Sequence, residues 1–330
     1  MFPFLSVYAG VVDPLADLLD GVRARSAAFC RVILEPPWAL RIADRAALAL
    51  ATTLRGHAWI VPDEGEPVLM RTGDVAIIKG PEPYTISDAP ATAPQFVVHE
   101  GNRLTTVGDA DITDDSRLGP RTSGPVPDGA AIVASGTYQV SGDVSERLLN
   151  ALPEIVLVPR PSAQTPVMEL LAQEVSGEGP GQQVVLDRLL DLALIATLRS
   201  WFARPEAQAP GWYRAQSDPL IGPALRLIHD DPARPWTVAL LAVKVGASRA
   251  AFARRFASLV GEPPMAYLTG WRMALAADLL RSSEATVDSV ARHVGYANAF
   301  ALSVAFKRVR GVSPSRHRAG GRTGPAGGPT

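Results

Sequence analysis

A single cysteine, Cys30, stands among 330 residues. It has no partner for an internal disulfide, and the lack of a second thiol argues against any cysteine-built zinc site. Long hydrophobic runs are missing too. No stretch reaches the roughly 18 apolar residues that a membrane-spanning helix needs. The opening residues, Met1 to Val7, lack the basic region of a secretory signal, so the sequence predicts a cytoplasmic protein with no membrane partner. No phosphate loop, GxSxG elbow or HExxH helix occurs, which removes three common routes to catalysis. Net charge is also nearly absent, at −1.

What is present points elsewhere. At 47% apolar and 20% charged, the chain can bury real cores, and its length suits two domains. The near-zero charge hides a split. From Ile221 to Thr330 there are 15 basic and 6 acidic residues, so that third carries +9 and the remainder −10. A basic module on an acidic body fits a reader of polyanions joined to something else.

The texture changes along the chain. Asp13–Arg25 reads as a short amphipathic helix. From Ala28 to Val98, short apolar runs are cut by turn residues about every ten positions: Phe29–Leu34, Ala46–Leu54, Ala58–Val61, Val68–Met70, Val75–Ile78, Tyr84–Ser87 and Phe96–Val98. This spacing predicts a β-sandwich or barrel. Glu100–Gly129 is polar and rich in Gly, Pro and Asp, and reads as a long loop, mobile or a lid. A strand at Ala130–Val140, a short helix at Val144–Leu149 and a strand at Glu154–Val158 follow. Two helices come next, Pro166–Val175 and Gln182–Ala203. The second has Val185, Leu189, Leu192 and Ile195 along one apolar face. Everything from Pro219 to the Gly/Pro-rich tail at 319–330 reads as helical, and the tail as disordered.

The helical third repeats itself. Val238–Gly246 matches Val287–Gly295 at an offset of 49, and Phe256, Gly261 and Pro264 match Phe306, Gly311 and Pro314 at an offset of 50. One extra residue therefore lies in the second turn. Each copy has the layout of a helix-turn-helix, at about 237–259 and 286–309. Thr237 and Thr286 are placed as N-caps, and Gly246 and Gly295 as left-handed helix ends. Phe252 with Phe256, and Leu302 with Phe306, form the buried sides. Arg249, Arg254 and Arg255 lie on the outer side of the first second-helix. Lys307, Arg308 and Arg310 lie on that of the second. A helix at Pro264–Arg281, with Leu268, Trp271, Leu275 and Leu279 as its stripe, separates the copies by about 27 Å. That is near the roughly 34 Å between successive major grooves on one duplex face.

These residues carry a resemblance. WTVALLA at 236–242, LLRSSE at 279–284, VARHVGY at 290–296, AFKR at 305–308 and GVSPSRHR at 311–318 resemble the DNA-binding domain of the AraC/XylS transcription regulators. LRGHAW at 54–59, EPVLM at 66–70, GDVAII at 73–78 and LPE at 152–154 are similar to the cupin-type sensor domain joined to one AraC subfamily. Gly211–Trp212 and IHDDP at 228–232 are similar to its connector. The resemblance implies an α+β chain: a cupin-like jelly-roll sensor or dimerisation domain at 1–160, a helical connector at 161–220 and a bipartite reader at 221–318. It implies double-stranded DNA as a partner, an unknown small-molecule effector, a possible homodimer and, for an activator, RNA polymerase.

Candidate contacts to DNA are Arg249, Arg254 and Arg255 in the first copy, and Asn298, Ser303, Lys307 and Arg308 in the second. Ala299, Phe300, Ser303 and Val304 occupy the family's outward positions. Three of these four lack a hydrogen-bonding side chain, so the two halves are expected to read DNA unequally. His57, Trp59 and Tyr84 are the expected effector-pocket residues. Tyr84 stands where this subfamily commonly has histidine. His57, with Glu66 or His99, makes too poor a set of ligands to predict a metal or other cofactor, and no catalytic residue is predicted. Cys30 reads as an inert core thiol, and Ser135 stands where the subfamily often has cysteine. His229, Asp230 and Asp231 resemble a small polar site, but the simpler reading, a helix end turning into Pro232, is preferred. The readings of another kind are a metal-dependent cupin enzyme with a DNA-binding tail, an alkylation-repair fusion, which a lone cysteine disfavours, and a ligandless dimeric regulator.

Overall fold

Alternating apolar residues in the first half need a face to bury, and the turn residues between them return the chain about every ten residues. In a computed structural model, which describes residues 14–19, 22–23, 29–119, 121–140, 142–160, 165–175, 177, 179–204, 207 and 209–321, the result is two facing sheets. The strands are β1 Val22–Arg23, β2 Cys30–Leu34, β3 Ala39–Ala43, β4 Leu48–Arg55, β5 His57–Pro62, β6 Val68–Arg71 and β7 Val75–Lys79. They continue as β8 Tyr84–Ser87, β9 Phe96–His99, β10 Leu104–Thr106, β11 Arg117–Gly119, β12 Thr122–Ser123, β13 Ala131–Val140 and β14 Ile155–Val158. One sheet runs β11-β12-β2-β13-β4-β7-β14, with β1 also on β13. The other runs β10-β9-β3-β8-β5-β6. Their inner faces meet in a core that includes Leu34, Trp38, Leu40, Ile60, Met70, Ile78, Tyr84 and Ile86.

The helices are α1 Pro14–Leu19, α2 Asp143–Leu149, α3 Thr165–Glu174, α4 Gln182–Phe202, α5 Gly211–Arg214 and α6 Ile221–Asp230. The last six are α7 Val238–Lys244, α8 Arg249–Val260, α9 Pro264–Ser282, α10 Val287–His293, α11 Ala299–Arg310 and α12 Pro314–Gly321. None of the described helices is long and apolar enough to cross a membrane.

The chain divides into two units. The strands fold with Leu149–Ala207, whereas Ala209 onward folds with α1 and most of α2. This differs from the sequence reading. The segment expected to be a connector is split, and α3 and α4 belong to the β unit. Gly136 shows why: a Cβ there would lie 2.9 Å from Leu190 of α4, so the bare backbone lets that helix settle on β13. Tyr138 then donates its hydroxyl to the Leu190 carbonyl at 2.8 Å.

Other expectations are corrected or refined. Asp13–Arg25 is a six-residue helix followed by a short strand, and part of that range lies outside the described residues. The expected loop at Glu100–Gly129 contains β10, β11 and β12, and β3 was not foreseen. The apolar face of α4 named from the sequence is not the one most deeply packed, and Leu189 and Ile195 on it are half-buried. Leu186, Leu190, Leu194 and Leu198 are buried, whereas Val185 and Leu192 are 44% and 48% exposed. The 319–330 tail begins inside α12, and beyond residue 321 it lies outside the described residues.

In the helical unit α9 serves two cores. Tyr267, Leu268 and Trp271 face the first copy, where Phe256 lies 5.9 Å from Tyr267 between ring centroids. Met273, Ala276, Ala277 and Leu280 pack with Val290, Ala291, Leu302 and Phe306 of the second. Both predicted caps form: Thr237 accepts from the Leu240 amide and Thr286 from the Ser289 amide. Gly246 and Gly295 have φ of 71° and 79°, and the following amides reach back to the Ala242 and Ala291 carbonyls, as in a Schellman end.

The two glycines differ in one respect. Nothing lies within 4 Å of a Cβ built on Gly246, whereas one on Gly295 would sit 2.5 Å from the Ala233 carbonyl. Gly246→Ala should therefore cost only the left-handed penalty of about 1–2 kcal/mol. Gly295→Ala should cost clearly more. Urea denaturation of the two variants checks this, and equal losses would contradict it.

Candidate nucleic-acid interface and effector region

Each second helix begins with a side-chain cap. Ser248 accepts from the Ala251 amide and Asn298 from the Ala301 amide. Burial then decides which face looks outward. On α8, Phe252 and Phe256 are buried while Arg249, Ala250, Arg254 and Arg255 are exposed. On α11, Leu302, Ala305 and Phe306 are buried while Phe300, Val304, Lys307 and Arg308 are exposed. At the offset of 50, the outward positions pair Ala250 with Phe300 and Arg254 with Val304. Phe300 is 78% exposed and Val304 55%. The first copy thus presents an arginine where the second presents apolar surface.

The expected site residues separate into two groups. Arg249, Arg254, Lys307 and Arg308 are exposed and form no ion pair among the described residues. Arg255, Asn298 and Ser303 are already engaged. Arg255 holds Asp218 through its Nε at 2.9 Å and its Nη2 at 2.5 Å. Asp218 also accepts the Leu220 and Ile221 amides at the start of α6. Chiefly through the Arg255 hydrogen bonds, its carboxyl is pushed down to about 2. Asn298 is the α11 cap, and the Ser303 hydroxyl donates to the Ala299 carbonyl at 2.7 Å. Arg310 is engaged as well. Together with Arg281 it closes on the carboxylate of Asp143, whose side chain is 2% exposed. Asp278 accepts the amides of Asp143 and Val144 at 2.6 and 3.1 Å, and burial raises its carboxyl to about 6.

The IHDDP stretch does end a helix, and its histidine also joins a buried cluster whose partners lie elsewhere in the chain. His229 is 7% exposed. Its ring nitrogens lie 2.6 Å from Asp17 Oδ2 and 2.8 Å from the Tyr267 hydroxyl, and its ring stacks 4.2 Å from Trp271. The signal was the single histidine four residues after Leu225, on the buried side of α6.

In the β unit the three expected effector residues do not converge. His57 and Trp59 line one open depression on β5 and β6 with Leu69 and Arg71. The His57 ring nitrogen is 3.1 Å from the Asp88 carbonyl. Tyr84 is instead part of the core between the sheets, 8% exposed and opposite Pro62 in register. Burial pushes its hydroxyl pKa far above the usual tyrosine value. Its ring is apolar filling, so it does not stand at a pocket mouth. Cys30 is half-buried, its Sγ 3.9 Å from the Ser135 hydroxyl, and burial raises its thiol pKa. His57, Glu66 and His99 belong to no metal-ligand cluster among the described residues. A different cavity, of about 290 Å³, opens beside Val32, Leu40 and Phe96.

Comparison with known proteins matches residues 13–203 to a cupin family and residues 241–320 to a helix-turn-helix domain family. A putative AraC-like transcription regulator of Streptomyces lividans is 34% identical over 93% of this chain and 98% of its own length. One of Streptomyces antibioticus is 31% identical over the same shares. The HTH-type transcriptional regulator AlkR of Acinetobacter baylyi is 26% identical over 93% of this chain and 99% of its own. Among solved structures, the DNA-binding domain of AdpA in complex with a target DNA is 36% identical. It covers 32% of this chain and 95% of that one, with a TM-score of 0.31.

The Asp218–Arg255 pair gives a prediction for stability. A carboxyl held below its ordinary value contributes stability that is present above pH 4 and lost as pH falls toward 2. Asp218→Ala also removes two amide bonds at the start of α6, and should cost about 1 kcal/mol near neutrality. Urea midpoints of the variant and wild type should converge as pH is lowered from 6 to 3. A gap that stays constant would contradict the assignment.

Proposed function

The chain belongs to the AraC-like transcription regulators, with a cupin domain ahead of a DNA-binding helix-turn-helix domain, and on that premise we propose that it is a cytoplasmic, effector-controlled regulator whose two reading helices contribute unequally. The observation that carries this is the exchange of Arg254 for Val304 at one outward position of two repeated helices. Arginine can pair with guanine through two hydrogen bonds, worth about 1–3 kcal/mol of discrimination. Valine and phenylalanine can only touch thymine methyls or sugar. Arg249 and Arg254 of α8 therefore read bases, and Lys307 and Arg308 hold phosphates. Arg255, Asn298 and Ser303 shape the helices that carry these contacts.

The cupin domain is the seat of effector control. The exposed apolar stripe of α4, with Val184, Val185 and Leu192, supports pairing of two copies. RNA polymerase is a partner if the protein activates. On this reading the chain performs no catalysis and needs no metal.

Operators selected from a random duplex library test the reading. Arg254→Ala should relax preference at one half-site by about tenfold in discrimination. Lys307→Ala should weaken all sequences about equally and lower the salt slope by about 1. If the strongest guanine preferences map beneath α11, unequal reading is wrong. A Leu192→Glu chain should scatter light as a monomer at concentrations where the wild type forms dimers. A wild type that is monomeric at tens of micromolar, about the range of ordinary interfaces, contradicts the pairing.

A further inference from the structure

The two sheets part at their β10 and β11 edges, and the chain between Leu104 and Pro125 crosses the opening. This segment is held by its own hydrogen bonds. The Ile112 amide donates to the Leu104 carbonyl at 3.0 Å, the Leu104 amide to Thr113 Oγ1 at 2.9 Å, and the Gly124 amide to the Ser116 carbonyl at 2.9 Å. It also sits directly on β2. A Cβ on Gly124 would lie 2.1 Å from the Ile33 carbonyl, so only a bare backbone fits. The expected loop is thus an ordered cover over the gap.

Beneath it is the cavity of about 290 Å³. Val32, Leu40 and Phe96 come from the facing sheets, and Leu104, Ile112 and Leu118 from the cover. Leu118 is 41% exposed, so the cover leaves apolar surface open to solvent beside the cavity. The volume lies near the lower end of small-molecule sites, which run from about 300 to 1,000 Å³ and are mostly apolar with a few polar groups.

The polar lining residues here are Asp115 and Ser116. The Ser116 hydroxyl donates to the Thr113 carbonyl at 3.1 Å and can only accept from a ligand. Asp115 is exposed and forms no ion pair among the described residues. Of the nearby carboxylates, Asp114 pairs with Arg117 at 3.5 Å and Asp111 faces Arg103 at 4.0 Å, so Asp109 is the neighbour that adds to the negative charge of Asp115. A donor or a cation is favoured at this rim, and a carboxylate is repelled.

We propose that this cavity is the effector site, and that it takes a small apolar amine, its hydrocarbon body against Leu40, Phe96 and Leu118 and its ammonium beside Asp115. The inference rests on the effector reading above and names the site and ligand class for it. His57 and Trp59 lie in a separate depression and play no part.

Three probes with one six-carbon tail and different heads test it on the full chain: hexylamine, 1-hexanol and hexanoate, followed by saturation-transfer NMR and calorimetric titration. Affinity should fall in that order, with hexylamine at least about fivefold tighter than hexanoate. Asp115→Asn should erase the amine preference while 1-hexanol still binds. Leu118→Arg, at a half-exposed edge position, should abolish binding of all three with an unchanged thermal melt.

Hexanoate binding as tightly as hexylamine, no binding by any probe, or undiminished binding to Leu118→Arg would each overturn the proposal. Operator affinity in the same samples separates it from the broader reading. Probe binding that leaves operator affinity unchanged keeps the site but refutes effector control. An operator response that survives Leu118→Arg keeps the control and refutes this site.

Discussion

Helix α9 must be buried along two flanks by two different sets of partners, and the form of the reading unit follows from that requirement. Aromatic residues near its start close the first core, and small residues with Leu280 near its end close the second. Neither half-core is large. A short helix pair cannot bury its apolar side alone, so each copy depends on the shared helix. Alanines at 274, 276 and 277 let neighbouring helices approach closely, while Trp271 takes the bulk where His229 stacks. The same helix thus fixes the spacing of α8 and α11 and supplies much of their stability.

How much could be read in the sequence depended on whether the signal was local. Caps, glycine ends and buried aromatics of the repeat are local, and Thr237, Thr286, Gly246 and Gly295 stand as the pattern required. The strand runs were legible for the same reason. What failed needed partners distant in the chain. The buried face of α4 is chosen by β13 through Gly136 and Tyr138, 50 or so residues away, and both faces of that helix are apolar enough to qualify. The pairing of Arg255 with Asp218, 37 residues upstream, likewise left no local sign. Tyr84 was expected near a pocket because it stands where similar sensor domains commonly have histidine, yet it packs in the core between the sheets. The cover at 104–125 is polar and short-stranded, so its order comes from side-chain and turn hydrogen bonds that leave no periodicity.

The two units follow different physical logic. The β unit encloses space, and its cover brings apolar side chains over a gap between sheets. The helical unit offers an outer surface with exposed cations and exposed apolar side chains, Phe300 and Val304 among them. A chain that joins these can couple occupancy of a cavity to the use of a surface without sharing residues between them.

The basic character of the last third has a less obvious meaning once its pairings are known. Arg255 binds Asp218, Arg292 binds Asp288, and Arg281 and Arg310 share Asp143. Arg272 and Arg318 are spent on backbone carbonyls. Four of these arginines therefore sit beside carboxylates, and the positive charge without a close counter-charge is smaller than a count of basic residues suggests. A weak outer field shortens each random stay on duplex DNA, because counterion release is what sustains such stays. If Arg249 and Arg254 read bases as proposed, the molecule samples many sites quickly and lingers only where those arginines find a match.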